Sequence, residues 1–315
     1  MKAIRDVFGD TLVSLGEEYE NVIVLNADLG SPTRTNKFAM RFPERTFEIG
    51  IAEANMIGIS SGLSEHGYKV FLTSFGAFLS GRYDIIRVSL AYPKRPVVLV
   101  GTHSGLSPGL DGATQSGLED ISIMRSLPNM VVMQPSTPTE TEEVMSAVMN
   151  IDAPVYLRIG RQVVEDIEYV KGADYSKEQF HFGKLRLARW NSSCDMTIVY
   201  SGCVASIALS VADELEKKGI LCRVLNAHTL KPFDWESLIH NCGMRVGENH
   251  KFITIEDHSV IGGLGTIVAD ALSEHCPRKL VKIGVEDLFP SSGKPGDLYE
   301  YYGITVQGVL DRLVV

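Results

Sequence analysis

VVLVGTHSGLSPGLDGATQSG, residues 97–117, sets a β-branched apolar run against a long glycine-rich loop. The first five residues read as a strand buried on both faces. The thirteen residues from Gly105 to Gly117 hold four glycines, one proline and several hydroxyl or amide side chains. A plain connector rarely needs so many residues of this kind. In a parallel α/β sheet such a loop lies at the carboxyl ends of the strands, where ligands bind.

The rest of the chain repeats the strand-then-helix pattern. VIVLN (22–26), MVVMQ (130–134) and VYLRI (155–159) read as further buried strands, with helices expected over 5–18, 53–66, 82–91 and 138–150. The last opens with Thr137, Pro138 and Glu140, a capping box with proline at the first helical position. This alternation implies a parallel sheet covered on both faces. The pattern breaks at 161–192, where VEDIEYVKGADYSKEQ is highly charged and FHFGKLRLARW alternates as an edge strand or crossing connection does. It resumes with TIVYSG (197–202), a helix over 204–218 stopped by Gly219, CRVLN (222–226), FITIE (252–256), a helix after Gly265 and LVKIG (280–284). The expected fold class is α/β with two parallel-sheet domains, residues 1–160 and 193–315, joined by a linker at 161–192.

Composition narrows the function classes. The chain has 315 residues, 44% hydrophobic and 22% charged, the profile of a globular protein of about two domains. Its net charge of −9 disfavours nucleic acid and anionic membrane surfaces as partners. The start carries Asp6 and Asp10 where a signal peptide needs an apolar stretch, and no run approaches the ~20 apolar residues of a membrane span, so a cytoplasmic location is expected. Cys194, Cys203, Cys222, Cys242 and Cys276 form no CxxC pair, so they read as small apolar residues in a reducing compartment. No metal ligands are expected from this chain.

Three places invite chemistry on their own spacing. GIAEANM (50–56) puts Glu53 where the chain enters a helix, and a carboxylate there ordinarily complements the helix dipole. His103 ends the VVLVGT strand beside the glycine-rich loop. IGGLG (261–265) hints at dinucleotide binding but lacks GxGxxG spacing and a suitably placed acidic residue, so a tight turn is the better reading.

Taken together, GIAEANM, FLTSFGAFLSGRYDIIR (71–87), THSGLSPGLDGAT (102–114), LRIGRQ (157–162) and EDHSVIGGLG (256–265) resemble the carboxyl-terminal half of transketolase. The resemblance covers nearly the whole chain, with five motifs in order. It implies a pyrimidine-binding domain followed by a transketolase C-terminal domain, and thiamine diphosphate as cofactor. The family's other half supplies a Gly-Asp-Gly motif that holds Mg2+ and the diphosphate, and that motif does not occur here. The resemblance therefore implies one subunit of a split transketolase. Its partner would be an amino-terminal subunit carrying the Mg2+ and diphosphate site, assembled as a heterotetramer.

The resemblance also assigns residues. Glu53 would hydrogen-bond N1′ of the aminopyrimidine and share a proton with it, while Phe75 and Phe78 would wall the ring. Asp28, in LNADLGS, falls close to the cofactor. Asp111 is placed for a donor hydroxyl, and His103 and Arg161, joined by Arg5, for the anionic end of a sugar phosphate or sulfosugar. The implied reaction moves a two-carbon ketol unit from a ketose to an aldose. One residue departs from the pattern: the family's Asp-Gly-small-Thr-His becomes DGAT followed by Gln115, which donates a hydrogen bond but does not titrate near neutrality. The competing readings are the β subunit of a 2-oxoacid dehydrogenase, a regulatory subunit that has lost catalysis, and, resting on IGGLG alone, a pyridine-nucleotide redox domain.

Overall fold

The computed structural model describes residues 1–170, 180–242 and 250–313, with side chains described only up to His240 in the second segment. Most of the charged stretch expected in the linker, residues 171–179, lies outside the described residues, as does the Cys242 side chain.

Two sheets organise the chain. In the first domain the strands are β1 (Val22–Asn26), β2 (Thr46–Glu48), β3 (Lys69–Phe75), β4 (Val98–Thr102), β5 (Val131–Met133) and β6 (Val155–Arg158). The second domain contributes β7 (Arg186–Arg189), β8 (Met196–Ser201), β9 (Cys222–Asn226), β10 (Thr229–Lys231), β11 (Lys251–Ser259) and β12 (Lys279–Val285). The sheet orders are β10-β5-β6-β4-β3-β1-β2 and β12-β11-β8-β9-β7. Every pairing is parallel except at one edge of each sheet, β10 on β5 and β7 on β9. The five residues of β4 are all buried, as a strand covered on both faces requires.

Two details depart from the expected elements. β10, read as second-domain sequence, crosses over to complete the first sheet, whereas β7 is an edge strand of the second sheet, one of the two forms expected of its alternating sequence. At three residues with a register shift, β10 is too short to carry a strand pattern. The segment expected as one helix over 82–91 is an α-helical turn at Tyr83–Ile86 followed by a π-helical stretch at Arg87–Ala91.

Helices α1 (Ile4–Glu18), α2 (Glu53–Glu65), α3 (Asp120–Ser126), α4 (Pro138–Val148), α5 (Ala205–Lys217) and α6 (Leu264–His275) cover the sheets. α6 begins one residue before Gly265 because the buried Glu256 carboxylate accepts hydrogen bonds from the backbone N–H groups of Leu264 and Gly265. At α4, Thr137 Oγ1 accepts from Glu140 N at 3.1 Å, as the capping box requires. The Glu140 carboxylate then reaches back to Ser136 N at 2.7 Å and across to Asn226 Nδ2 on β9 at 2.7 Å. No described helix is long and apolar enough to cross a membrane.

The domains share a core. One continuous buried cluster joins Leu99, Val132 and Tyr156 of the first sheet to Val199, Leu225, Phe252 and Leu264 of the second domain. A polar hub sits at the same junction. Arg158, at the end of β6, is 1% exposed and bonds the fully buried Asp120 at 2.9 Å. Its Nη2 donates to Gly117 O and Asp257 O, both at 3.0 Å, and Tyr156 Oη donates to Asp120 at 2.6 Å. Burial pushes the Asp120 carboxyl up, but Arg158, His258 and the hydrogen bonds outweigh it and hold it below its ordinary value.

Removing one partner of this pair strands a buried charge. Asp120→Ala should destabilise the chain by about 3–5 kcal/mol in urea unfolding, whereas Asp120→Leu combined with Arg158→Met should recover most of that loss. A single variant within about 1 kcal/mol of wild type would show that the hub does not organise the junction.

Candidate active site

α2 enters from a turn that only a few backbone conformations permit. Gly50 has φ +79°, where a side chain is strained, and Ile49 N bonds back to Asn26 O at the end of β1. The Glu48 carboxylate accepts from Asp28 N at 2.6 Å and from Gly50 N at 2.9 Å, tying the two strand-end loops together. The next full turn delivers Glu53 as the first residue of α2, only 4% exposed. Its Oε1 accepts from Ser74 Oγ at 3.0 Å, and no other described hydrogen bond reaches the carboxylate. Glu53 is thus directed at β3 and caps no backbone N–H of its own helix, unlike the ordinary dipole role.

Beside it, β3 ends at Phe75, and the chain turns into a short helix, Gly76–Ser80, that carries Phe78. Gly76 has no room for a side chain: a Cβ there would lie 2.5 Å from Ser104 Oγ. The Phe75 and Phe78 rings stack at 5.4 Å and 22°, and His103 lies against Phe75 at 4.0 Å and 28°. His103 itself has φ +54°, an αL conformation that turns the chain sharply off the end of β4.

The hydrogen bonds assign the His103 tautomer. Thr102 Oγ1 gives its single proton to Ser74 O at 3.3 Å, so it accepts from His103 Nδ1–H at 3.1 Å. Nε2 then carries the lone pair and faces Arg5 Nη1 at 3.4 Å. Burial, followed by Arg5, Arg161 and Arg34, drives the His103 pKa down to about 3, so the ring is neutral at physiological pH.

Those same arginines form a cationic cluster. Arg5 makes no ion pair among the described residues, and its buried Nε has no hydrogen-bond partner. Burial, then Arg34 and Arg161, lower its pKa, so the cluster is short of negative charge. Arg34 is paired with Asp6, and Arg161 lies 3.8 Å from Asp111. That pair lines a cleft of about 530 Å³ together with Ser107, Lys294 and Pro295. Gln115 is partly buried, its Nε2 3.4 Å from Thr114 Oγ1, and Asp28 is exposed with φ +59°.

The structure therefore brings Glu53, Phe75, Phe78, His103 and Arg5 into one chain of contacts and puts Asp111 with Arg161 at the adjoining cleft. Among the described residues Asp28 connects to Glu53's turn through Glu48, which accepts from the backbone N–H groups of both Asp28 and Gly50. Sequence reasoning missed Ser74, Glu48 and Arg34. Ser74 was legible as a hydroxyl inside the apolar FLTSF run, whereas Arg34, beyond LNADLGSP, looks like any surface arginine until the fold sets it beside Arg5.

IGGLG is a turn whose backbone donors are already taken. Glu256 occupies the N–H groups of Leu264 and Gly265 where a dinucleotide phosphate would bind, and burial pushes its pKa up to about 7. Cys194, Cys203, Cys222 and Cys276 are free thiols. Among the described residues no three His, Cys, Asp or Glu side chains converge as metal ligands.

Residues 1–166 match the transketolase pyrimidine-binding domain and residues 183–309 the transketolase C-terminal domain. A transketolase C-terminal section from Methanocaldococcus jannaschii is 39% identical over 319 residues, covering 99% of this chain and 96% of that protein. A 6-deoxy-6-sulfo-D-fructose transketolase subunit of Clostridium sp. (strain MSTE9) is 36% identical, covering 98% and 92%. A solved split-gene transketolase, an inactive beta4 tetramer, superposes with TM-score 0.87 at 38% identity, covering 99% of this chain and 97% of that one. By both of its domains, and by identity sustained along nearly its whole length, the chain belongs to the transketolase family.

Proposed function

We propose that this chain holds the aminopyrimidine of thiamine diphosphate and the sugar substrate of a two-subunit transketolase, a partner subunit supplying the Mg2+ and diphosphate site. The observation that carries this reading is the Glu53 carboxylate. It is only 4% exposed, accepts a single hydrogen bond among the described residues, from Ser74 Oγ, and that serine immediately precedes Phe75 of the stacked aromatic pair. A heterocycle with a ring nitrogen to satisfy fits that donor set. When bound, thiamine diphosphate supplies the electron sink that makes cleavage of a carbon–carbon bond next to a carbonyl possible.

The protein's own residues then have separable tasks. Glu53 shares a proton with the pyrimidine N1′, and Ser74 holds the carboxylate in place for it. Phe75 and Phe78 exclude water and stack on the ring. Neutral His103 accepts at Nε2 in this structure, and a ring flip or proton shift would be needed for it to donate to a sugar hydroxyl there. Asp111 accepts from a donor hydroxyl, Gln115 supplies an uncharged hydrogen bond where the family has His, and Asp28 lies at the cofactor-side rim. Arg5, Arg34 and Arg161 together suit a phosphate or sulfonate, which supports an anionic sugar, as does similarity to the sulfofructose enzyme's subunit. Assembly as a cytoplasmic heterotetramer completes the reading.

Three outcomes test it. The chain alone should bind thiamine diphosphate poorly and show no ketol transfer, and activity in a preparation free of any partner would end the two-subunit reading. In the reconstituted enzyme, Glu53→Gln keeps a hydrogen bond to N1′ but not the shared proton. Deuterium exchange at the cofactor's C2, followed by NMR, should slow by a factor on the order of 10² to 10⁴ with the fold intact. A helix-cap role would instead cost ~0.3–1 kcal/mol of stability and leave exchange unchanged. Arg161→Ala should raise KM for anionic sugars on the order of tenfold or more over uncharged analogues, as loss of a charge-assisted hydrogen bond predicts. Equal losses for both would restrict Arg161 to its pairing with Asp111.

A further inference from the structure

The cleft draws on two first-domain segments, which meet side chain to side chain only in the half-exposed Arg161–Asp111 pair at 3.8 Å among the described residues, and on Lys294 and Pro295 of the second domain. One segment is the glycine-rich loop from His103 to Gly117, which carries Asp111 and Gln115. The other is the stretch after β6 that carries Arg161. We propose that Asp257, on β11 of the second domain, is the positioning residue that sets the distance between them. The proposal rests on the transketolase reading for its kinetic consequence and on geometry alone for its structural one.

The Asp257 carboxylate faces both segments at once. Its Oδ1 accepts from the backbone N–H of Leu106 at 2.8 Å, within the glycine-rich loop. Its Oδ2 accepts from Gln162 Nε2 at 3.0 Å, the residue immediately after Arg161, and from Tyr299 Oη at 2.6 Å. Gln162 Nε2 also donates to Tyr299 Oη at 2.7 Å, closing a three-membered ring of hydrogen bonds. All three groups that converge on the carboxylate are donors, so only an acceptor with two oxygens satisfies them together. Burial pushes the Asp257 pKa up, with Arg158 and these donors opposing it.

The backbone is shaped to admit the contact. Gly105 has φ +71°, and a Cβ there would lie 2.3 Å from Asp257 Oδ2, so the loop approaches the carboxylate as only glycine can. The second domain also holds the loop at its middle, through Ser292 Oγ to Leu110 O at 2.7 Å, and just past its end, through Ser259 N to Leu118 O at 2.9 Å. Those bonds secure the loop alone. Asp257 bonds both the loop and the Arg161 segment, which makes it a gauge of cleft width. Among the described residues no hydrogen bond or ion pair joins its carboxylate to Glu53, Phe75 or Phe78, so it acts on sugar binding and leaves proton exchange at the cofactor unaffected.

Asp257→Asn turns one of the two acceptor oxygens into a donor facing Gln162 and Tyr299. The reconstituted variant should show KM for the ketose donor raised on the order of tenfold, kcat within about threefold, and C2 deuterium exchange at the wild-type rate. In the uncomplexed chain, hydrogen–deuterium exchange across 103–117 should quicken on the order of tenfold, with Leu106 N–H losing protection. The reciprocal double variant, Asp257→Asn with Gln162→Glu, exchanges carboxylate and amide between the two positions without changing net charge, so that a donor again meets an acceptor there, and should return both KM and exchange toward wild type. Tyr299→Phe keeps Asp257 and removes one donor, giving a milder shift in the same direction should Asp257→Asn fold poorly. A purely structural role would lower thermal stability while leaving KM per folded enzyme unchanged and would not respond to the reciprocal swap. Wild-type exchange over 103–117 in both Asp257→Asn and Tyr299→Phe, or a double variant no better than the single, would overturn the proposal. If no reconstituted wild-type enzyme transfers a ketol unit, the functional reading fails separately, and the exchange experiment still decides the role of Asp257.

Discussion

A guanidinium buried at 1% exposure must have its charge answered within the protein, and the way Arg158 meets that demand organises this molecule. Asp120 neutralises it, and its remaining donors reach Gly117 O at the close of the glycine-rich loop and Asp257 O in the second domain. One side chain therefore references three parts of the chain to a single point: the end of a central strand, the glycine-rich loop, and the neighbouring domain. Desolvating such a pair opposes its attraction, so its value lies in specifying one arrangement of the junction.

The shared apolar cluster supplies the energy that this polar hub does not. Leu99, Val132 and Tyr156 pack in the same cluster as Leu225, Phe252 and Leu264, and β10 completes the first sheet from the second domain's sequence. Pulling the domains apart would expose apolar surface from both at roughly 25 cal/mol per Å² and leave an edge of β5 unpaired. Glu140 adds a second buried polar tie, bonding Asn226 and Arg186 from the helix that follows β5. The two domains consequently present the site as one rigid surface, the condition under which a cleft between separate segments keeps its geometry.

Electrostatics at that surface is divided by position. The buried Glu53 carboxylate has the Ser74 hydroxyl as its one hydrogen-bond partner among the described residues. Around His103 three arginines crowd a neutral imidazole, and burial together with their charge excludes a further cation. An anionic ligand would relieve this repulsion.

Much of this was readable from the chain. The buried β-branched strands, the helix caps, the glycine-rich loop and the motif containing Glu53 are local patterns, because strand burial, capping and turn formation act over a few residues. The five motifs also carried the family and the candidate residues Glu53, Phe75, Phe78, His103 and Arg161. What remained hidden depends on distances through space. Arg158 and Asp120 stand 38 residues apart and look like an ordinary strand end and helix start, and Arg34 gains meaning only beside Arg5. β10 is three residues long and owes its existence to the open edge of β5. Asp257 sits in a motif read for its glycines, yet its partners, Leu106, Gln162 and Tyr299, come from three distant segments. Sequence alone determined most of the elements and their class, since these follow from local backbone and side-chain preferences, and the family, through five motifs taken together. Only the tertiary structure decided which charges are buried together and which loops are held in register, because desolvation and hydrogen-bond satisfaction depend on neighbours that chain order does not specify.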